Sequence, residues 1–95
     1  MSTSNIMLGM SKAGHDIRHV YVVINEDEDY YYLVNGQTKT IDGPKKKKKI
    51  HVQPIKSLPA EVLEIIEDGK ALDDIKIKRI LKVYNSRQLT GGKNV

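Results

Sequence analysis

Five consecutive lysines, Lys45 to Lys49, with His51 two residues beyond them, are the residues of this chain best suited to a chemical task. An ammonium group is a point cation with three donors, so a row of them neutralises a row of phosphates and releases the counterions condensed there. The run follows Gly43-Pro44 and leads into Ile50-His51-Val52-Gln53-Pro54, an alternating apolar and polar segment that reads as a β-strand. Charge joined to a strand is held at a fixed place on a folded surface, unlike a lysine block in a solvated tail.

Strand parity divides the run. With Ile50 and Val52 turned toward a core, Lys47, Lys49, His51 and Gln53 point outward, because side chains alternate with a period of two. Lys46 and Lys48 would then face inward, which is costly for a charge. The regular strand is therefore expected to begin near Lys48 or Lys49, with the earlier lysines in an exposed loop. One edge would carry a cationic ridge leading out of a mobile basic tip.

Other constellations are weaker. His15 and His19 stand four apart, a spacing that suits a metal on a helix, but their segment reads as loop and strand, so no metal is expected. Ser11, His15 and Asp16 are close in sequence, but a nucleophile, its base and its orienting acid are defined by geometry rather than adjacency. The acidic stretch Glu26 to Asp29 lacks the glycine and spaced ligands of a calcium loop and reads as a solvated hairpin tip. No P-loop is present. The chain reads as a non-enzyme without a cofactor or a small-molecule substrate. Tyr30, Tyr31 and Tyr32 alternate faces, which places either Tyr31 or its two neighbours on the surface, where bases can stack.

The elements that must position these groups are short. Ile6 to Ser11, Val20 to Ile24, Tyr30 to Val34 and Gln37 to Ile41 read as strands, with Asn35-Gly36 as a type I′ hairpin turn between the last two. Together with the strand after the lysines they make about five strands within about 50 residues, which suggests a small barrel. Ser57-Leu58-Pro59-Ala60-Glu61 opens a helix with Leu58, Val62, Ile65 and Ile66 as its apolar stripe and Gly69 near its end. A second helix is expected from about Asp73, burying Ile77, Ile80, Leu81 and Tyr84. Lys76, Lys78, Arg79 and Lys82 would lie on its other face, with Arg87 extending this basic surface. The expected organisation is a flexible segment at 1–5, a barrel at 6–56, a helical extension packed on it at 57–88, and a disordered tail at 89–95.

Ninety-five residues suffice for one small domain, and the absence of cysteine excludes a disulfide framework or a thiolate zinc site. No apolar stretch approaches the ~18 residues of a membrane span, and no basic stretch followed by an apolar run marks a leader, so a cytoplasmic protein without a membrane partner is expected. The net charge of +4 is unevenly distributed. Residues 1–43 carry three Lys/Arg against six Asp/Glu, and residues 44–95 carry thirteen against six. The basic second half points to a polyanionic partner.

Order and spacing carry a resemblance as well. Ser11-Lys12-Ala13-Gly14-His15-Asp16, the Val22-Val23 strand, Asn35-Gly36, and Lys45 to Lys49 before His51 and a helical tail resemble bacterial KOW-domain RNA-binding proteins. That family is related to KOW-containing large-subunit ribosomal proteins of archaea and eukaryotes, and the similarity covers about Ile6 to Leu81. It implies an SH3-like β-barrel, mainly β with an α-helical C-terminal extension of two helices. It also implies binding of structured ribosomal RNA, with ribosomal proteins as further partners. The family positions it carries over are Lys12, Gly14 and Asp16 in the first loop, then Lys45, Lys46, Lys47, Lys48, Lys49 and His51, and His15 beside them is a further candidate RNA contact. Arg18 stands where the family carries glycine, and with His19 it adds cationic potential beside that loop. Gly9 stands where the family carries an aliphatic residue. Asp16 is expected to fix the turn through side-chain to backbone hydrogen bonds. The alternative function is an SH3-like protein-interaction module whose lysines meet an acidic protein.

Overall fold

The computed structural model describes residues 6–93, with side chains as far as residue 87. Five strands form one antiparallel sheet: β1 (Met7–Ser11), β2 (Val20–Glu26), β3 (Tyr30–Val34), β4 (Lys45–Lys48) and β5 (Val52–Ile55), in the order β4-β3-β2-β1-β5. Two helices follow, α1 (Ala60–Ile66) and α2 (Asp74–Lys93). β4 and β5 lie at opposite edges, yet a single 3-10 turn, Lys49–His51, joins them. Five strands laid flat would separate those edges by about 19 Å, whereas the four steps from Lys48 to Val52 span about 14 Å at full extension. The sheet therefore curls into a half-barrel, and the fold is a small SH3-like barrel with a helical extension.

Each face of the curled sheet has its own core. Leu8, Val22 and Val34 lie in cross-strand register on one face and are buried against Val62, Ile65 and Ile66 of α1 and Ile77, Ile80, Leu81 and Tyr84 of α2. On the other face Tyr21, Val23, Leu33 and Val52 form a smaller cluster with Met7 and Tyr31. Gly9 faces this second cluster, where a Cβ would stand 2.8 Å from Val52 Cγ1. Val52 occupies the space that an aliphatic residue at position 9 would need, which is how the strand accommodates glycine there.

Three expectations about the strands are corrected. Gln37 to Ile41 is loop rather than strand, because the Asn35 carboxamide captures the local backbone. Its Oδ1 accepts from the amides of Gln37 (2.9 Å) and Lys39 (3.0 Å), and the main chain of Asn35 and Gly36 donates to the Lys39 carbonyl. Gly36 takes the expected left-handed φ of +80°, but within a loop of ten residues rather than a two-residue turn. Lys45 to Lys48 are not a loop; they are the fourth strand, paired with Leu33, Tyr32, Tyr31 and Tyr30. Ile50 does not enter the core: it sits on the 3-10 turn and is 71% exposed.

The helical extension follows its apolar stripes. Asp73 caps α2 by accepting from the Lys76 amide at 2.8 Å. Lys76 itself corrects the expected basic face. It is buried, and its ammonium donates to the Asp68 carboxylate (2.8 Å) and to the Lys70 carbonyl (2.8 Å) just beyond α1. That contact holds Asp68 below the usual carboxylate range. The tail expected to be disordered from residue 89 is helical backbone as far as Lys93, since each added residue of an established helix gains a hydrogen bond. Residues 94–95, like the segment 1–5 expected to be flexible, lie outside the described residues.

Candidate nucleic-acid interface

The first loop is organised around one carboxylate. Between β1 and β2 the chain turns through Gly14 at φ +87° and returns through Arg18 at φ +73°, the single non-glycine among the described residues with positive φ. Arg18 thus keeps the left-handed backbone that glycine adopts without strain, at a cost of about 1–2 kcal/mol. The Arg18 amide donates to the Ser11 carbonyl at 2.7 Å, and the His19 amide to the Asp16 carbonyl at 2.9 Å. Inside this turn the Asp16 side chain is buried rather than bonded to local backbone as expected. Its oxygens accept from Ser11 Oγ (2.9 Å), Tyr21 Oη (3.0 Å), Lys45 Nζ (2.6 Å) and Lys47 Nζ (3.3 Å).

Electrostatics follow from that geometry. Burial pushes the Asp16 carboxyl up, but hydrogen bonds from Lys45, Ser11, Tyr21 and Lys47 outweigh it and hold the group well below the ordinary carboxylate range. Burial, then the neighbouring carboxylate, push the Tyr21 phenol up to about 12. At neutral pH Asp16 is therefore an anion ringed by donors, with one charge shared by two lysines.

The lysine run is divided by strand parity, in the sense opposite to the expected one. Lys45 and Lys47 turn inward to Asp16, and Lys47 also donates to the Ala13 carbonyl at 3.0 Å. Lys46 turns outward with its ammonium 4.4 Å from the centroid of the Tyr30 ring. Lys49, on the 3-10 turn, pairs with Glu26 at 2.6 Å and lies over Tyr31, so Glu26 raises its pKa. Lys48 is exposed and makes no ion pair among the described residues. Four lysines can form this strand because their amines are provided for: Lys45 and Lys47 by Asp16, Lys46 by the Tyr30 ring, and Lys48 by exposure.

The remaining site residues from the sequence separate into two places. The Lys12 amide donates to the His51 carbonyl at 2.8 Å, which ties the first loop to the 3-10 turn and sets those two exposed side chains on neighbouring segments. His15 is exposed on the loop, and Gly14 packs near the Lys47 amine. Among the described residues no cluster of His, Asp or Glu could hold a metal ion. Arg18 and His19 instead line a groove of about 770 Å³ between the barrel and α2, together with Lys78, Arg79 and Lys82. Among the described residues no carboxylate lines it. Its neutral polar residues Asn35, Gln37 and Asn85 carried no signal in the sequence, since only folding brings the ten-residue loop against the helix.

No helix among the described residues is long and apolar enough to cross a membrane. No family model matches the chain, and no curated protein matches it.

Proposed function

We propose that the protein binds structured RNA, holding the phosphate backbone electrostatically and reading shape more than sequence. The observation that carries this reading is the set of cations left over once the internal pairs are satisfied. Lys12, Arg18 and Lys48 are exposed and make no ion pair among the described residues. Such cations gain more from a polyanion than paired ones, because no existing bond has to be broken. Tyr30 and Tyr32, half-buried on the outward face of β3 beside Lys46, add aromatic surface on which a base can stack. The resemblance to KOW-domain proteins supports ribosomal RNA as the target, and with it a cytoplasmic, non-enzymatic role in translation or ribosome assembly.

Fluorescence anisotropy with a labelled ribosomal RNA hairpin across 50–300 mM salt tests this. Affinity should fall with salt on a log–log slope of about −3 or steeper, matching three or more neutralised phosphates. An absence of binding at 50 mM, or recovery from cells of a nuclease-resistant acidic protein partner with no RNA, would overturn the reading in favour of a protein-interaction module.

A further inference from the structure

We infer that the groove between the barrel and α2 is a clamp for the phosphate backbone of the RNA. The inference rests on the RNA-binding reading and assigns the strand's path. Two walls face each other across the groove. Arg18 and His19 stand on the barrel side, and Lys78, Arg79 and Lys82 on the helix side. All five side chains are exposed, and none makes an ion pair among the described residues. Lys78 and Lys82 are one helical turn apart and so project along the same wall, about 6 Å from each other. An open trough with cations on both sides suits a chain of repeated charges more than a single small anion, and the Arg18 and Arg79 guanidiniums can each grip a phosphate with two parallel hydrogen bonds.

The helix wall is fixed to the barrel by two contacts that are not electrostatic to the ligand. The Ile41 amide donates to Asp74 Oδ1 at 3.0 Å. Gly36 approaches the first turn of α2 so closely that a Cβ there would collide with the Asp74 carbonyl and would lie 2.6 Å from Lys78 Cγ. Groove width is therefore set before any ligand arrives, which lowers the ordering cost of binding. The helical extension becomes half of the binding surface as well as a cover for the barrel.

The test compares the full-length protein with its Lys78→Gln, Lys82→Gln double variant on the same RNA hairpin. Because both lysines are exposed and unpaired, thermal stability should hold while affinity at 0.1 M salt falls about tenfold and the salt slope shrinks by about 2. In the unaltered protein, RNA should also protect Lys78 and Lys82 from amine acylation read by mass spectrometry. Unchanged affinity and slope, or equal reactivity with and without RNA, would overturn the clamp while leaving RNA binding standing. Should the unaltered protein fail to bind RNA at 50 mM salt, the functional reading itself falls. Tight binding of polyglutamate in the same groove, weakened by the same double variant, would overturn the assignment to phosphate.

Discussion

β4 and the groove beside α2 hold similar numbers of cations and use them in opposite ways. Along β4 the charge is dense in sequence but largely consumed within the fold: two amines share Asp16, and one lies over a tyrosine ring. Around the groove the charge is sparse in sequence, drawn from residues 18 to 82, and none of it is paired among the described residues. Charge available to a partner is thus set by where carboxylates lie in space, not by the local density of lysines. A single aspartate, 29 residues upstream of Lys45, turns half of the most basic strand into scaffold.

The largest effect that could break this contrast comes from Asp16→Asn. Removing the shared anion leaves two half-buried ammoniums without a counter-charge and should cost about 2 kcal/mol of stability by thermal unfolding. RNA affinity of the folded protein should rise, because Lys45 and Lys47 are no longer held by a carboxylate. The same group predicts an acid limb. The folded-state pKa of Asp16 is depressed, so its contribution is complete above the unfolded value near pH 4 and is lost as pH falls through and below it. Melting curves between pH 7 and pH 3 should show that limb in the unaltered protein and a shallower one in the variant.

Lys47→Met comes next, with a loss of about 1 kcal/mol from the Asp16 and Ala13 contacts and no change in the salt slope of RNA binding. A reduced slope would mean that the inward lysines serve the ligand after all. Arg18→Gly should do the reverse. Relief of the left-handed strain, less the backbone entropy of glycine, should raise stability by about 0.5 kcal/mol, while the salt slope falls by about 1. The smallest change is expected for Lys48→Gln, with stability within about 0.5 kcal/mol and the slope again lower by about 1. Equal behaviour of Lys47 and Lys48 would erase the distinction between the two faces of β4.

The parts of the fold legible in the sequence are those whose stabilisation is local. β2 is a β-branched run that reads as a strand on its own, and α1 announces itself by Pro59 and a regular apolar stripe. β4 was illegible as a strand because its inward positions are lysines, and the partner that makes this tolerable is supplied by another loop. The loop at 35–44 reads as a hairpin from sequence because Asn35-Gly36 is a hairpin signal by composition, whereas the carboxamide here binds two amides further on. Lys76 did carry a usable signal. It lies four residues before Ile80 and beside Ile77 on the apolar stripe, which should have marked it as a buried cation awaiting an acceptor. In the candidate site, the loop cations and the helix cations were each visible, but their convergence across a groove depends on how α2 docks, which periodicity does not encode.

The 3-10 turn at Lys49–His51 also has a kinetic consequence. The hairpins β1–β2 and β2–β3 and the β3–β4 pair close short loops, whereas β5 reaches β1 across about forty residues, with Ser11 beside Val52. Loop-closure entropy alone would make that pairing slow, but the tight turn removes most of the search by delivering β5 to its place as soon as β4 has docked. Ring closure is thereby coupled to the lysine strand. Until β4 finds the tyrosines of β3, β5 has no position from which to meet β1, so a defect in β4 should slow folding of the whole barrel rather than fray one edge.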